Sequence, residues 1–101
     1  MKLLLITAIA AFEKDIKGML KKAQVKTYTY KEVIGFKDTS EDSIESNWFA
    51  TGINETESIL FYAFVQEENV DTLFEEVRVF NDKQETLTRI HVTVLQIEKS
   101  N

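Results

Sequence analysis

Hydrophobic positions along this chain fall into two kinds of run. Ser58 to Val65 (SILFYAFV) holds seven apolar or aromatic residues in eight. A continuous run bounded by polar residues predicts a central strand covered on both faces, where strict alternation would mark a half-exposed one. Ile59, Phe61, Ala63 and Val65 then point one way, and Leu60, Tyr62 and Phe64 the other. Lys2 to Ile9 is nearly all apolar and predicts a second buried strand. Val25 to Phe36 alternates more and carries more charge, as an edge strand should. Thr88 to Ile97 closes the chain as a fourth strand, with Ile90, Val92 and Val94 on one face and His91, Thr93, Leu95 and Ile97 on the other. Between these lie two stripes at helical spacing. Phe12, Ile16, Met19, Leu20 and Ala23 form the first, with lysines opposite; Val70, Leu73, Phe74, Val77 and Phe80 form the second, with a cap expected near Asn69.

The order is therefore β-α-β-β-α-β, an α+β ferredoxin-like plan. Right-handed crossovers place both helices on one face of a single antiparallel sheet, with the first and third strands central. Two helices cover one face only, yet those central strands are apolar on both. The uncovered face is then a large hydrophobic patch, which soluble monomers rarely tolerate. Another copy of the chain is the simplest cover, so an oligomer is expected.

Length and composition narrow the class further. At 101 residues the chain is expected to form one domain, 1–101, with one core. No cysteine is present, which excludes disulfides, thiolate metal sites and cysteine nucleophiles. The net charge of −5 argues against nucleic acid as the main partner. That charge is uneven: residues 1–35 carry seven lysines against Glu13, Asp15 and Glu32, a balance of +4, which leaves −9 for the remainder. The start of the chain has the look of a signal peptide, with an Ala8-Ile9-Ala10 cleavage pattern. Its apolar run is short, only Lys2 precedes it, and cleavage would remove a central strand. It is also too short to span a membrane. A cytoplasmic protein without membrane insertion is expected. Asn54-Glu55-Thr56 fits a glycosylation sequon that such a location leaves unused.

About twenty residues, from Lys37 to Glu57, separate the second and third predicted strands, longer than a packed domain normally needs. Their first half is acidic and rich in hydroxyls, and Trp48 is the only tryptophan. The stretch reads either as a solvated connector whose aromatic pair tucks onto the sheet, or as an arm that contacts a partner through Trp48 and its carboxylates. Asp38, Glu41, Asp42 and Glu45 offer hard oxygen ligands, but without the glycine and spacing of a calcium loop. His91, the only histidine, reads first as a strand residue. In a three-fold oligomer three copies of it would meet, so it stays open as a metal ligand. The acidic residues from Glu67 to Glu76 are explained by the dipole of the second helix. No phosphate loop, nucleophile elbow or catalytic triad is present, and no enzyme and no resident cofactor are expected.

With this order of elements and a long arm between the second and third strands, the chain resembles the nitrogen-regulatory PII-type signalling proteins. Local echoes are Met1-Lys2-Leu3-Leu4 in the first strand, Glu32-Val33-Ile34-Gly35 before the arm, and Arg89-Ile90-His91-Val92 in the last strand. The resemblance implies a homotrimer with sheets packed inward. It implies an effector- and partner-sensing arm involving Gly35, Lys37, Asp38, Glu41, Asp42, Glu45 and Trp48. It also implies an inter-subunit cleft bearing Lys83 and Arg89, and a regulated partner, such as a membrane transporter of a metal-efflux system. The chain departs from the family where a glycine-rich turn holds nucleotide phosphates. Asn81 to Thr86 contains no glycine, only Lys83 is suited to a phosphate, and the arm has no tyrosine to modify. The expectation is a reduced PII-like regulator that binds a small effector, a partner protein or both. The runner-up is a divalent-metal-binding trimer of the CutA kind, which shares the fold.

Overall fold

A computed structural model describes residues 1–38 and 53–101 of the chain. The elements are β1 (Lys2–Ile9), a 3-10 turn over Ala10–Phe12, α1 (Glu13–Lys22), β2 (Thr29–Asp38), β3 (Ile53–Val65), α2 (Glu67–Asp82) and β4 (His91–Gln96). The four strands form one antiparallel sheet in the order β2-β3-β1-β4. This is the ferredoxin-like order read from the sequence, with β1 and β3 central.

The core lies between the sheet and the helices. Leu4, Ile6 and Ala8 of β1 and Ile59, Phe61, Ala63 and Val65 of β3 are buried against Ile16, Met19 and Leu20 of α1 and Val70, Leu73 and Val77 of α2. Burying one such side chain contributes roughly 1.5–3 kcal/mol, which is why the helical spacing of the stripes decides the fold. The 3-10 turn before α1 packs on α2 through the rings of Phe12 and Phe80, 4.9 Å apart and edge to face, and the two helices meet through Lys22 and Glu76, 3.4 Å apart.

Several element boundaries differ from the sequence expectation. Strand β2 begins at Thr29 rather than Val25, because the chain leaving α1 makes a Schellman turn. Val25 N–H donates to the Leu20 carbonyl (2.9 Å) and Gln24 N–H to that of Lys21 (3.0 Å), with Gln24 in the left-handed region at φ 62°. Val25 is thus the apolar plug after a helix end, buried in the core, and not a strand residue. Strand β2 runs on to Asp38 and β3 starts at Ile53, so Lys37, Asp38 and residues 53–57 belong to a paired hairpin rather than to a loop. An antiparallel ladder needs only backbone hydrogen bonds to continue, whereas the apolar run marks only where the helices cover it. Helix α2 starts at Glu67 with Gln66 as N-cap, not at Asn69, and Glu67 and Glu68 oppose its dipole in the first turn. Strand β4 is shorter than Thr88–Ile97 because Ile90 is held by a side chain of α2, as described below.

Candidate functional site

The uncovered face of the sheet is the most prominent surface. Register places Phe64, Leu3 and Leu95 in one row across β3, β1 and β4, and Tyr62, Leu5 and Thr93 in the next. Phe64 is 56% exposed, Leu95 42% and Tyr62 41%. No described helix covers these rows. His91 sits on the same face opposite Thr7, and its side chain is exposed.

The hairpin of β2 and β3 carries the described part of the arm. Its ladder is continuous from Thr29↔Tyr62 to Asp38↔Ile53. Gly35 lies where a Cβ would come within 2.8 Å of the Ser58 hydroxyl, which itself donates to the Thr56 carbonyl at 3.2 Å. Ile34 and Phe36 alternate with it and are each 64% exposed. At the root of the hairpin a groove of about 300 Å³ is lined by Ala10, Glu32, Val33, Ile34, Glu57 and Ser58. Its two carboxylates favour a cationic or neutral occupant over an anionic one. Of the arm residues expected from sequence, Glu41, Asp42, Glu45 and Trp48 lie outside the described residues, as does the side chain of Asp38.

The loop from α2 to β4 is built around Asn81. Its amide donates to the Ile90 carbonyl (2.9 Å) and accepts from the Ile90 N–H (2.8 Å). The side chain thereby pairs with Ile90 as a neighbouring strand residue would. This fixes Arg89 and His91 on either side. The Arg89 guanidinium donates to the carbonyls of Thr86 and of Thr88, the latter at 2.9 Å, so it is held by its own loop. Arg78 bonds Glu75 and Asp82 at 2.5 and 2.9 Å. That pairing draws the Glu75 carboxyl below its ordinary range, chiefly through the hydrogen bond from Arg78. Arg78, Arg89 and His91 all line a shallow groove of about 410 Å³ between α2 and β4. Lys83, the C-cap of α2, is not among its lining residues. Among the described residues no three His, Asp or Glu side chains gather at metal-binding distance. Sequence reasoning missed Asn81 and Arg78, since an Asn near a helix end has many local uses and only the tertiary register reveals this one.

Solved structures share this architecture across nearly the whole chain. CPII, a nitrogen regulatory PII-like protein from Thiomonas intermedia K12 whose structure holds ADP, AMP and bicarbonate, matches with 22% identity. The match covers 99% of this chain and 94% of that one, with a TM-score of 0.63. The fold is PII-like. The GlnK–ATP complex of B. subtilis matches the PII-like core at 20% identity, over 94% of this chain and 82% of that one, with a TM-score of 0.62. A PII-like signalling protein from Thermus thermophilus matches at 18% identity, over 93% and 83%, with a TM-score of 0.56. At these identities the likeness is one of fold. No family model and no curated protein matches the sequence. No described helix is long and apolar enough to cross a membrane.

Proposed function

We propose that this chain is a PII-like regulator and not an enzyme. It works in the cytoplasm as a homotrimer, takes a small effector in the clefts between subunits, and engages a partner protein through its arm. The observation that carries the reading is the apolar face of Leu3, Leu5, Leu60, Tyr62, Phe64 and Leu95 on a PII-like sheet. An exposed patch of that kind calls for a protein cover, and closed symmetry supplies one. The trimer in turn makes clefts at subunit borders, where Lys83 and Arg89 would face an effector. Adenine nucleotides bound to CPII and GlnK support that class of ligand. The loop after α2 has no glycine, so its backbone is poorly suited to wrapping a phosphate chain. Side-chain cations must do that work. A membrane transporter, such as a metal-efflux system, is the partner class proposed for Gly35, Lys37, Asp38 and the arm beyond them.

Light scattering coupled to size exclusion tests the assembly. The expected mass is three times the 11.7 kDa of one chain. Phe64→Glu places a charge in the apolar row, at its most exposed residue, and should release a folded monomer, seen by far-ultraviolet circular dichroism. A wild-type monomer refutes the trimer. Titration calorimetry with AMP, ADP and ATP, with and without bicarbonate, tests the effector. Lys83→Ala with Arg89→Ala should abolish the heat. Copper and zinc belong in the same series: a metal response lost in His91→Ala would replace the nucleotide reading with the CutA-like one.

A further inference from the structure

A second groove, remote in sequence from the arm and the α2–β4 loop, follows the turn from α1 into β2. It has a volume of about 610 Å³, and its lining residues are Lys17, Lys21, Gln24, Val25, Lys26 and Tyr28. Three of the six are lysines and none is acidic, on a chain whose net charge is −5. The floor is rigid. Val25 is buried in the core, and the half-buried Tyr28 ring lies 5.6 Å from that of Phe61. Lys17 is fixed by Glu13 at 2.8 Å and by the Tyr30 hydroxyl at 3.0 Å, with its ammonium 4.3 Å from the centre of the Tyr30 ring. Lys21 and Lys26 make no ion pair among the described residues.

Gln24 adds an independent observation. It occupies the left-handed position of the Schellman turn at φ 62°, where glycine would be the unstrained choice. The turn needs no side chain there, yet a long amide stands at the lip of the groove.

We propose that this groove docks an extended, acidic polypeptide segment of a partner protein. Lys17 and Lys21 lie about 6 Å apart along the helix axis. Alternate residues of an extended chain are separated by about 6.7 Å and share a face, so carboxylates at every second position match that spacing, with Lys21 open to a full ion pair and Lys17 shared with Glu13. Gln24 has the donor and acceptor that a peptide backbone requires. Nucleic acid is the wrong polyanion for this surface, because residues 36–101 carry a balance of −9 and repel a long phosphate chain. The inference is independent of the trimer and of the arm.

The test is fluorescence anisotropy on the full chain. The probe is a labelled peptide of about ten residues, roughly 33 Å in extended form, with glutamate alternating with threonine. Its glutamine counterpart and an oligothymidylate of similar length serve as comparisons. The glutamate peptide should bind, weaken as salt screens it, and bind about tenfold more weakly to Lys21→Gln/Lys26→Gln. Gln24→Gly should also weaken it while leaving the melting temperature equal or higher, a combination that a merely structural role for Gln24 does not produce. Absence of binding, equal binding by the double lysine variant, or tighter binding of the oligothymidylate overturns the proposal.

Discussion

Replacing Asn81 by alanine removes both hydrogen bonds to Ile90 at once, and the cost follows from the surroundings. Ile90 is 2% exposed, so its N–H and carbonyl have little access to water once the amide is gone. A hydrogen bond whose partners are rehydrated is worth about 1 kcal/mol, while a buried group left unsatisfied costs roughly 1–3 kcal/mol. Asn81 is itself only half-buried, so water reaches part of the gap, and the expected loss is about 2–4 kcal/mol. Against a typical stability of about 5–15 kcal/mol that is a large fraction. The assay is urea unfolding at fixed protein concentration, with the midpoint expected to fall and the slope to hold. Asn81→Asp sharpens the test. It keeps an acceptor for the Ile90 N–H but sets a carboxylate against the Ile90 carbonyl. The charged form is disfavoured in the fold, so the carboxyl's folded pKa is raised above the unfolded value near 4. The penalty is therefore full at pH above the folded value. It is relieved as the pH falls toward the unfolded one, where a protonated carboxyl can donate to Ile90. An alanine variant that loses less than about 0.5 kcal/mol, below a single ordinary hydrogen bond, would refute the reasoning. So would an Asp variant as stable as the parent at neutral pH.

Gln24→Gly should raise stability by about 0.5–1 kcal/mol, the left-handed penalty less the added chain entropy, and a calorimetric melting temperature that falls instead would remove the strain argument. Gly35→Ala puts a methyl group within 2.8 Å of the Ser58 hydroxyl. The hydroxyl must then swing away from the Thr56 carbonyl, at a cost of about 1 kcal/mol. Combining it with Ser58→Ala should cost less than the two single changes added together, and strict additivity in thermal unfolding would show that the two sites do not interact. Glu75 should titrate below the ordinary carboxylate range by NMR and return to that range in Arg78→Ala. Because its folded pKa is depressed, the pair contributes above the unfolded value and is lost as the pH falls through the folded one. An unshifted Glu75 would show that the pair is not populated in solution.

Element order, strand pairing and the two-sided hydrophobicity of β1 and β3 were all legible in the sequence, because each follows from periodicity. Phe61 and Leu60 had to face opposite ways, and one had to lack a helix. The turn at Gln24 was not legible, since left-handed positions are inferred from glycine and this one has none. Nor was the outward run of the hairpin, where Thr56 and Glu55 carry no apolar signal and pairing is set by the backbone alone. Of the candidate site, the loop bearing Lys83 and Arg89 was placed by resemblance. What organises it is the Asn81 amide, whose partner lies nine residues on and is reachable only once the helix and strand are in register. Basic charge in the first 35 residues was visible as a sum, but its concentration around Tyr28 depends on how α1 ends.

The unbroken ladder of β2 and β3 has a mechanical consequence. From Val33↔Ser58 to Asp38↔Ile53 the two strands are paired at every position, a stalk of about 17 Å at strand rise. Such a ribbon bends and twists as a unit, so a load at its far end is not absorbed along the way. It arrives at the root, beside Tyr30 and Phe61, whose rings are stacked 5.0 Å apart, with Phe61 set in the core. In reverse, a rotation of about 10° at the root sweeps the far end through about 3 Å, by the same strand geometry. The hairpin is a lever with its fulcrum in the hydrophobic core, and the packing of Phe61 sets how stiffly it is held.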